Sequence, residues 1–265
     1  MIMDPQARLR QLGDAIGFES FYESLPIVSK VLLTTYVCTG LLALFETRPL
    51  LYIYHSWEFI FREELPQVWR LVLNFGFLGK PSMNFLFNLV WLIQYGVAYE
   101  KAKFRGNAAD SIAMAGWGMV CILLIDLLIP FCRAPFHGQA LIFMMLYLWS
   151  KNMPTTEVSF FGVIKFKALY LPFALLLIDI VQGANPFIGL TGIAAGHMYW
   201  FGTEVFPQLY GRNIMKTPQW LERLVLRRQA QYAPHVTVRT SSRTRAPPTT
   251  SAGFRAFSGK GHKLT

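Results

Sequence analysis

His197 is the first residue whose type and position suggest chemistry. It ends the string GIAAGH, directly after Gly196, within an apolar segment. A histidine there could act as a general base, bind a ligand or make a structural hydrogen bond. A base needs a nucleophile to activate, and no Gly-x-Ser-x-Gly or Gly-x-Ser-Gly string occurs in the chain. The sequence therefore predicts a hydrogen-bonding role for His197, no catalytic residue and no enzyme.

Gly192 and Gly196 in the same string are spaced by one helical turn. Small residues four positions apart let two membrane helices approach closely. The pair therefore predicts a tight helix–helix contact, which is compatible with either a structural or a functional role for this segment.

Four polar residues interrupt other apolar segments: Asn88, Gln94, Asp126 and Asp179. Buried polar groups are costly in lipid and usually face the protein interior or a wet cavity. Asn88 and Gln94 lie deepest, and we expect them to line a hydrophilic cavity. Asp126 and Asp179 lie near segment ends, which favours a place among lipid headgroups. A proton-coupled transporter would use such groups, so that function stays open here.

Neither a metal site nor a bound cofactor is expected. The three cysteines, Cys38, Cys121 and Cys132, lack zinc-site spacing and form no disulfide framework. No Gly-x-x-x-x-Gly-Lys-Ser/Thr phosphate loop occurs. The dipeptide Trp69-Arg70, in a long aromatic-rich connection, is either an interfacial aromatic–cation pair or part of a functional motif.

Near the end of the chain, an isolated Phe257 and Leu264 flank Gly259 and Gly261 in an otherwise polar stretch. Isolated apolar residues in a segment that cannot fold alone often form a short linear binding motif. Glycines let such a backbone lie flat against a partner. These four residues are therefore predicted to bind another protein.

The elements that position these residues are membrane spans. Hydrophobic residues make up 53% of the chain and charged residues 15%, whereas soluble proteins have about 25% charged residues. A span needs about 20 mostly apolar residues, and six segments qualify if the shorter ones extend at their ends. We predict an all-α polytopic membrane protein with six spans at 25–45, 84–99, 109–131, 136–150, 166–181 and 186–206. The segment 47–83 is amphipathic and predicted to be interfacial, and Pro172 predicts a kink or a late start in the fifth span.

All of the net charge of +10 lies beyond the last span. We divide the chain into a membrane domain, 1–206, and a basic tail, 207–265, that is disordered from about Leu224. Lysines and arginines also follow the second and fourth spans, which predicts that both termini are cytosolic. A basic tail beside membrane spans is expected to fix topology or to contact anionic lipid, and no nucleic-acid partner is expected.

Several strings in order resemble one family. They are WR followed by LVLNFGFLG, NLVWLIQYGVAYE, FRGNAADSIAM, FKALYLP, GIAAGHMYWF and GRNIMKTPQWL. Together they look like a derlin of the rhomboid-like superfamily, closest to the derlin-1 branch, over roughly 18–224. Phe257 to Leu264 resembles the derlin SHP box, Phe-x-Gly-x-Gly-x-x-Leu. Where an active rhomboid places its serine, at the start of the fourth span, this chain has His137-Gly138-Gln139.

The resemblance implies a rhomboid-like six-transmembrane-helix bundle that acts in ER-associated degradation. Derlins help misfolded proteins leave the endoplasmic reticulum, and their SHP box recruits the valosin-containing AAA+ segregase. The implied partners are that ATPase, an ER ubiquitin ligase complex, misfolded clients and the bilayer, with homo- or hetero-oligomers left open. The resemblance also implies family roles for Trp69, Arg70, Gly192, Gly196 and His197.

We also expect a mechanism. Asn88 and Gln94 would line a partly wet path, while segment 47–83 and the short fourth span thin the bilayer. The alternatives are a small-solute or proton-coupled transporter and an intramembrane rhomboid protease.

Overall fold

The computed structural model describes residues 17–61, 66–160, 164–211 and 215–232. Phe257, Gly259, Gly261 and Leu264, and with them the predicted binding motif, lie outside the described residues. Most of the described chain is helical.

The first part of the fold consists of one long helix followed by short ones. Helix α2 agrees with the predicted first span, and no described helix between 47 and 83 exceeds six residues, which agrees with the interpretation of that segment as interfacial rather than spanning. The helices are α1 Phe18–Glu23, α2 Ile27–Phe45, α3 Arg48–Ile53, α4 Trp57–Phe61 and α5 Arg70–Leu73, with a 3₁₀ turn at Asn74–Gly76.

The second part contains the bundle proper. Two of its elements are continuous helical rods, in which two α-helices are joined by a single π-helical turn that accommodates one extra residue. The elements are α6 Met83–Trp91, a π turn Leu92–Gly96, α7 Val97–Phe104, α8 Ala108–Leu128, a 3₁₀ turn Pro130–Cys132, α9 Gly138–Asn152, α10 Leu171–Val181, α11 Pro186–Trp200, a π turn Phe201–Val205 and α12 Phe206–Tyr210, then α13 Gln219–Tyr232.

The all-α prediction is wrong between α9 and α10, where the chain forms an antiparallel hairpin. Strand β1, Glu157–Phe160, pairs with β2, Ile164–Lys167, so that Glu157 lies opposite Lys167. Alternating polar and apolar residues favour a pleated ribbon in this segment. The fifth predicted span therefore begins late, at the 3₁₀ turn Ala168–Tyr170. Pro172 occupies the first turn of α10, as expected for a late start.

Two described helices, Ile27–Phe45 and Ala108–Leu128, are long and apolar enough to cross a membrane. The other predicted spans fall on shorter helices or on rods that contain a π turn. The count of six spans therefore stays a prediction.

Helix α9 is the centre of the bundle. Every side chain from Ala140 to Ser150 is buried, and α9 packs most extensively against α11. Because α9 contacts protein on all sides, the expectation that this short fourth segment thins the bilayer is wrong. A helix without lipid contact cannot impose its length on the bilayer.

Disorder was expected from about Leu224, but α13 continues to Tyr232. Leu221 of α13 is buried, and the Thr217 hydroxyl just before α13 donates a hydrogen bond to Asp110 of α8. The boundary at 206 also falls inside the continuous rod formed by α11, its π turn and α12. The first part of the tail is thus packed on the membrane domain.

Candidate functional site: polar networks at the loop end of the bundle

We define the loop end of the bundle as the end at which α8 finishes and α9 begins. There Asp126, 1% exposed, accepts four hydrogen bonds. Its Oδ1 accepts from the backbone N–H of Ala134 (3.0 Å) and from His137 Nε2 (3.0 Å). Its Oδ2 accepts from Trp57 Nε1 (2.7 Å) and from His55 Nε2 (3.2 Å). Four donors satisfy the hydrogen-bonding capacity of an ionised carboxylate. Two of them come from the segment 47–83, which we call the first loop, so Asp126 joins the first loop to α8 and to the start of α9.

The His137 ring is held on both sides. Asn74 donates both amide hydrogens to the carbonyls of Arg70 and Leu71, so its Oδ1 faces His137 Nδ1 at 2.8 Å. On the other side, His137 Nε2 faces the Asp126 carboxylate. Asn74 and Asp126 therefore fix the orientation of the buried imidazole.

Arg70 extends this network through the first loop. Its guanidinium donates to the carbonyls of Leu51 (2.6 Å) and Tyr54 (2.8 Å), and lies 5.2 Å from the ring centroid of Phe59. Arg70 is 7% exposed, so its guanidinium is engaged within the protein rather than by lipid headgroups. Trp69 is about half exposed and donates from its indole to the Tyr52 carbonyl. The Trp-Arg dipeptide therefore holds the loop together.

A second network surrounds Asp179 of α10. Its carboxylate accepts hydrogen bonds from Asn84 Nδ2 (2.9 Å) and from the Gln139 amide. Asn88, one turn along α6 from Asn84, donates to the backbone and side-chain oxygens of Asn84. Asp126 and Asp179 are each 1% exposed, so the expectation that they lie among headgroups is wrong for both.

The two networks meet at the tripeptide that begins α9. His137 binds the first network and Gln139 the second. The Gly138 carbonyl accepts from the Tyr36 hydroxyl (3.1 Å), and a Cβ at Gly138 would lie 2.5 Å from the Phe77 carbonyl oxygen. Only glycine fits this close approach. Each of the three residues thus has a structural contact.

His197 lies on α11, away from both networks. Its Nδ1 is 2.7 Å from the Tyr147 hydroxyl of α9, so the ring makes a hydrogen bond of the kind expected, and its role stays a prediction. Among the described hydrogen bonds, no serine hydroxyl contacts a histidine. Among the described residues, no group of three or more His, Cys, Asp or Glu side chains is arranged to hold a metal ion.

The glycine pair makes the predicted tight contact. A Cβ at Gly192 would lie 2.1 Å from the Ala140 carbonyl oxygen, and one at Gly196 would lie 3.1 Å from the Met144 carbonyl oxygen. Both contacts are with the backbone of α9, which cannot move aside as a flexible side chain could. The glycines therefore set the distance between α11 and α9.

Asn88 and Gln94 are not brought together. Asn88 is completely buried, and its Oδ1 has no hydrogen-bond partner. Gln94 lies in the π turn and is exposed. Whether either residue lines a path for other proteins stays a prediction.

Comparison with known proteins matches residues 25–219 to the Der1-like family. The chain belongs to the Der1-like family. It is 37% identical over 219 residues to Derlin-1 of Arabidopsis thaliana, covering 75% of this chain and 81% of that protein. It is 33% identical over 247 residues to Derlin-1 of Oryza sativa subsp. japonica, covering 92% and 97%. Derlin-2.1 of Zea mays is 35% identical over 218 residues, covering 79% and 87%. The resemblance to derlins is confirmed.

In this Der1-like chain, Glu100 is a structural residue that the sequence did not single out. Its buried carboxylate accepts from the backbone N–H groups of Val28 (3.0 Å) and Ser29 (2.9 Å) and from the Ser29 hydroxyl (2.7 Å). These groups are the free donors at the start of α2, where the residue before the helix, Pro26, provides no side-chain cap. Glu100, on α7, thus caps the N-terminus of α2, where negative charge interacts favourably with the positive end of the helix dipole.

Sequence reasoning also missed His55, Trp57, Asn74 and Gln139. The available signal was their position at the ends of apolar runs or in the aromatic-rich connection. His55 and Trp57 contact the Asp126 carboxylate, Gln139 contacts that of Asp179, and Asn74 is linked to Asp126 through His137. These partners are distant in sequence, so only the fold shows the contacts.

Proposed function

We propose that this protein is a non-catalytic component of ER-associated degradation. In this proposal it lies in the ER membrane with both termini in the cytosol. It helps misfolded proteins leave the ER, and its tail recruits the valosin-containing AAA+ segregase, which supplies the pulling force. Membership of the Der1-like family supports the degradation role.

The observation that carries the non-catalytic part is the structural use of the tripeptide 137–139. Its histidine and glutamine are bound to Asp126 and Asp179, and its glycine packs on a backbone carbonyl. His197, the candidate base, is paired with the Tyr147 hydroxyl. Serine proteolysis of the rhomboid type needs a serine within hydrogen-bond reach of a histidine base, and the described hydrogen bonds contain no serine–histidine pair.

A short lipid-facing helix supports a role in bilayer thinning. Ala168–Val181 is about 21 Å long at about 1.5 Å per residue, against a hydrocarbon thickness of about 30 Å. Its Phe173, Leu177 and Val181 are 51%, 61% and 81% exposed. A short apolar helix that faces lipid draws the bilayer thinner, so α10 takes the role that was expected of the fourth segment.

The exposed apolar residues of the first loop support leaflet perturbation. Leu51, Tyr52 and Phe61, on α3 and α4, are each about two-thirds exposed. Short helices with an apolar outer face insert into the headgroup and acyl boundary. They lie at the loop end, where Arg70 contacts Leu51, Tyr54 and Phe59, and α10 ends at the same end of the bundle.

The polar path is tested by Asn88→Leu in cells that lack the wild-type protein. The change retains side-chain volume and removes a buried, partly unsatisfied amide, so we expect a protein that folds but clears a misfolded lumenal reporter more slowly. The measurement is the reporter half-life at matched expression. A half-life equal to wild type would remove Asn88 from the mechanism and leave thinning as the remaining contribution.

Recruitment is tested by pulling down the segregase with the full-length protein. The variant Phe257→Ala/Leu264→Ala removes both apolar anchors, and we expect binding to be lost. The matched control is Ser258→Ala/His262→Ala, which changes two spacer positions of the same octet and should bind like wild type. If the wild-type protein does not bind the segregase, or if both variants bind equally, the octet is not the recruiting element.

The two alternative functions make different predictions. An intramembrane protease would be labelled by a serine-reactive probe, with labelling lost when the labelled serine is replaced. A transporter would show saturable uptake of a solute into vesicles that contain the purified chain. We expect no serine labelling, because the described hydrogen bonds contain no serine–histidine pair. We expect no proton-coupled uptake, because Glu100, Asp126 and Asp179 are each engaged in hydrogen bonds.

A further inference from the structure

The end of the bundle opposite the loop end, which we call the basic end, contains a half-open cavity of about 260 Å³. It lies between the ends of α7, α9 and the α11 rod, and its lining includes Lys103, Lys151, Trp200, Thr203 and Glu204. We propose that this cavity binds a phosphate group, presented by an anionic phospholipid headgroup or as soluble phosphate.

Lys151 provides the charge for the ligand. Its ammonium lies 5.5 Å from the ring centroid of Tyr147 and 5.1 Å from that of Trp200. Among the ion pairs of the described residues, none involves Lys151. The rings hold the ammonium by cation–π attraction but neutralise no charge, and its N–H groups can still donate to an anion.

The second lysine of the cavity is paired. Lys103 of α7 makes an ion pair with Glu204 of the α11 rod, and the two side chains are 36% and 40% exposed. This pair contributes no net charge, so the cavity carries one excess positive charge from Lys151. Lysine binds phosphate as a point charge, and one such charge suits a single phosphate group.

Two π turns shape the cavity. Thr203 and Glu204 lie within the π turn Phe201–Val205, and Lys103 lies on the helix that directly follows the π turn Leu92–Gly96. Single π turns within α-helices occur frequently at functional sites, because they redirect side chains without breaking the helix. Here the two turns bring polar residues of different rods to one opening.

The level of the cavity in the membrane also fits a headgroup. Trp200 lines it, and Tyr210 and Trp220 at the same end of the fold are about two-thirds exposed. Aromatic belts of Trp and Tyr mark the depth of lipid headgroups, and basic residues there attract anionic lipids. A phospholipid whose chains lie along the bundle could present its phosphate directly to Lys151.

The test uses the purified full-length protein and native mass spectrometry. The probes are phosphatidic acid and, for comparison, phosphatidylcholine. We expect wild type to retain one phosphatidic acid that phosphatidylcholine does not replace. Lys151→Met keeps the aliphatic stem over the rings and should weaken retention about tenfold, the effect of losing one charged hydrogen bond. Lys151→Arg should restore it, and the control Lys101→Met, an exposed lysine of α7 outside the cavity lining, should behave like wild type.

A second variant keeps the test valid if Lys151→Met does not fold. Glu204→Gln removes the negative charge beside Lys103 and should tighten retention severalfold, the opposite direction. Inorganic phosphate is then titrated against the bound lipid. Displacement at millimolar phosphate identifies a site that also accepts soluble phosphate, whereas resistance identifies a lipid site. Equal retention of phosphatidic acid by wild type, Lys151→Met and Glu204→Gln would overturn the proposal.

Discussion

Asp126→Asn should destabilise the protein strongly, although it changes one atom. If the new NH₂ group takes the place of Oδ2, it faces the indole N–H of Trp57; if it takes the place of Oδ1, it faces the backbone N–H of Ala134. Neither of these groups can accept a hydrogen bond, so each orientation leaves a buried donor unsatisfied. The change also removes the negative charge that accepts the remaining hydrogen bonds. Hydrogen bonds to charged groups contribute about 1.5–3 kcal/mol each, so losing one and weakening the others costs about 3–5 kcal/mol.

The melting temperature of the purified full-length protein tests this prediction. One kcal/mol shifts the melting temperature by about 2–4 °C in a domain of this size, so a decrease of about 10 °C is expected. The matched control is Glu46→Gln, since Glu46 pairs at 3.7 Å with Arg48 and both side chains are largely exposed. Exposed pairs contribute about 0–1 kcal/mol. If Asp126→Asn melts at the same temperature as Glu46→Gln, the buried network does not stabilise the fold as reasoned.

Two further changes have definite expected outcomes. Gly192→Ala should lower the melting temperature markedly, because its Cβ would lie 2.1 Å from the Ala140 carbonyl oxygen. The control is Gly116→Ala, which has open space around its Cβ and should raise the melting temperature slightly, because alanine favours a helix over glycine by about 1 kcal/mol. Equal effects of the two changes would contradict the close packing of α11 on α9. Glu100→Gln should lower the free energy of unfolding by about 1–3 kcal/mol, because it turns an amide N–H toward the start of α2 or leaves a buried donor unpaired. Hydrogen exchange of the Val28 amide should then accelerate. Unchanged exchange at Val28 would rule out the cap.

The apolar segments could be predicted from sequence because their signal is local. The first predicted span, 25–45, agrees with Ile27–Phe45, and Pro172 indicated the late start of α10. The glycine pair indicated a close contact because Gly192 and Gly196 share one helix face. Each of these inferences needed only residues within a few turns of one another.

The polar networks could not be predicted, because their hydrogen bonds join distant residues. Asp126 at the end of an apolar run fits a headgroup position as well as a buried one. The difference depends on Trp57, 69 residues earlier, and on His55, 71 residues earlier. The hairpin and the π turns were missed because the hydropathy of a segment changes little when a helix contains one extra residue or when a short β-ribbon lies between two helices.

The two π turns also constrain how the sequence can change in length. An α-helix turns by about 100° per residue, so deleting one residue from Leu92–Gly96 would rotate α7 about its axis relative to α6. Glu100 would leave the start of α2, and Lys103 would leave Glu204. A single-residue deletion there is therefore expected to be much more damaging than a substitution, because it changes the direction of every side chain that follows in the same rod.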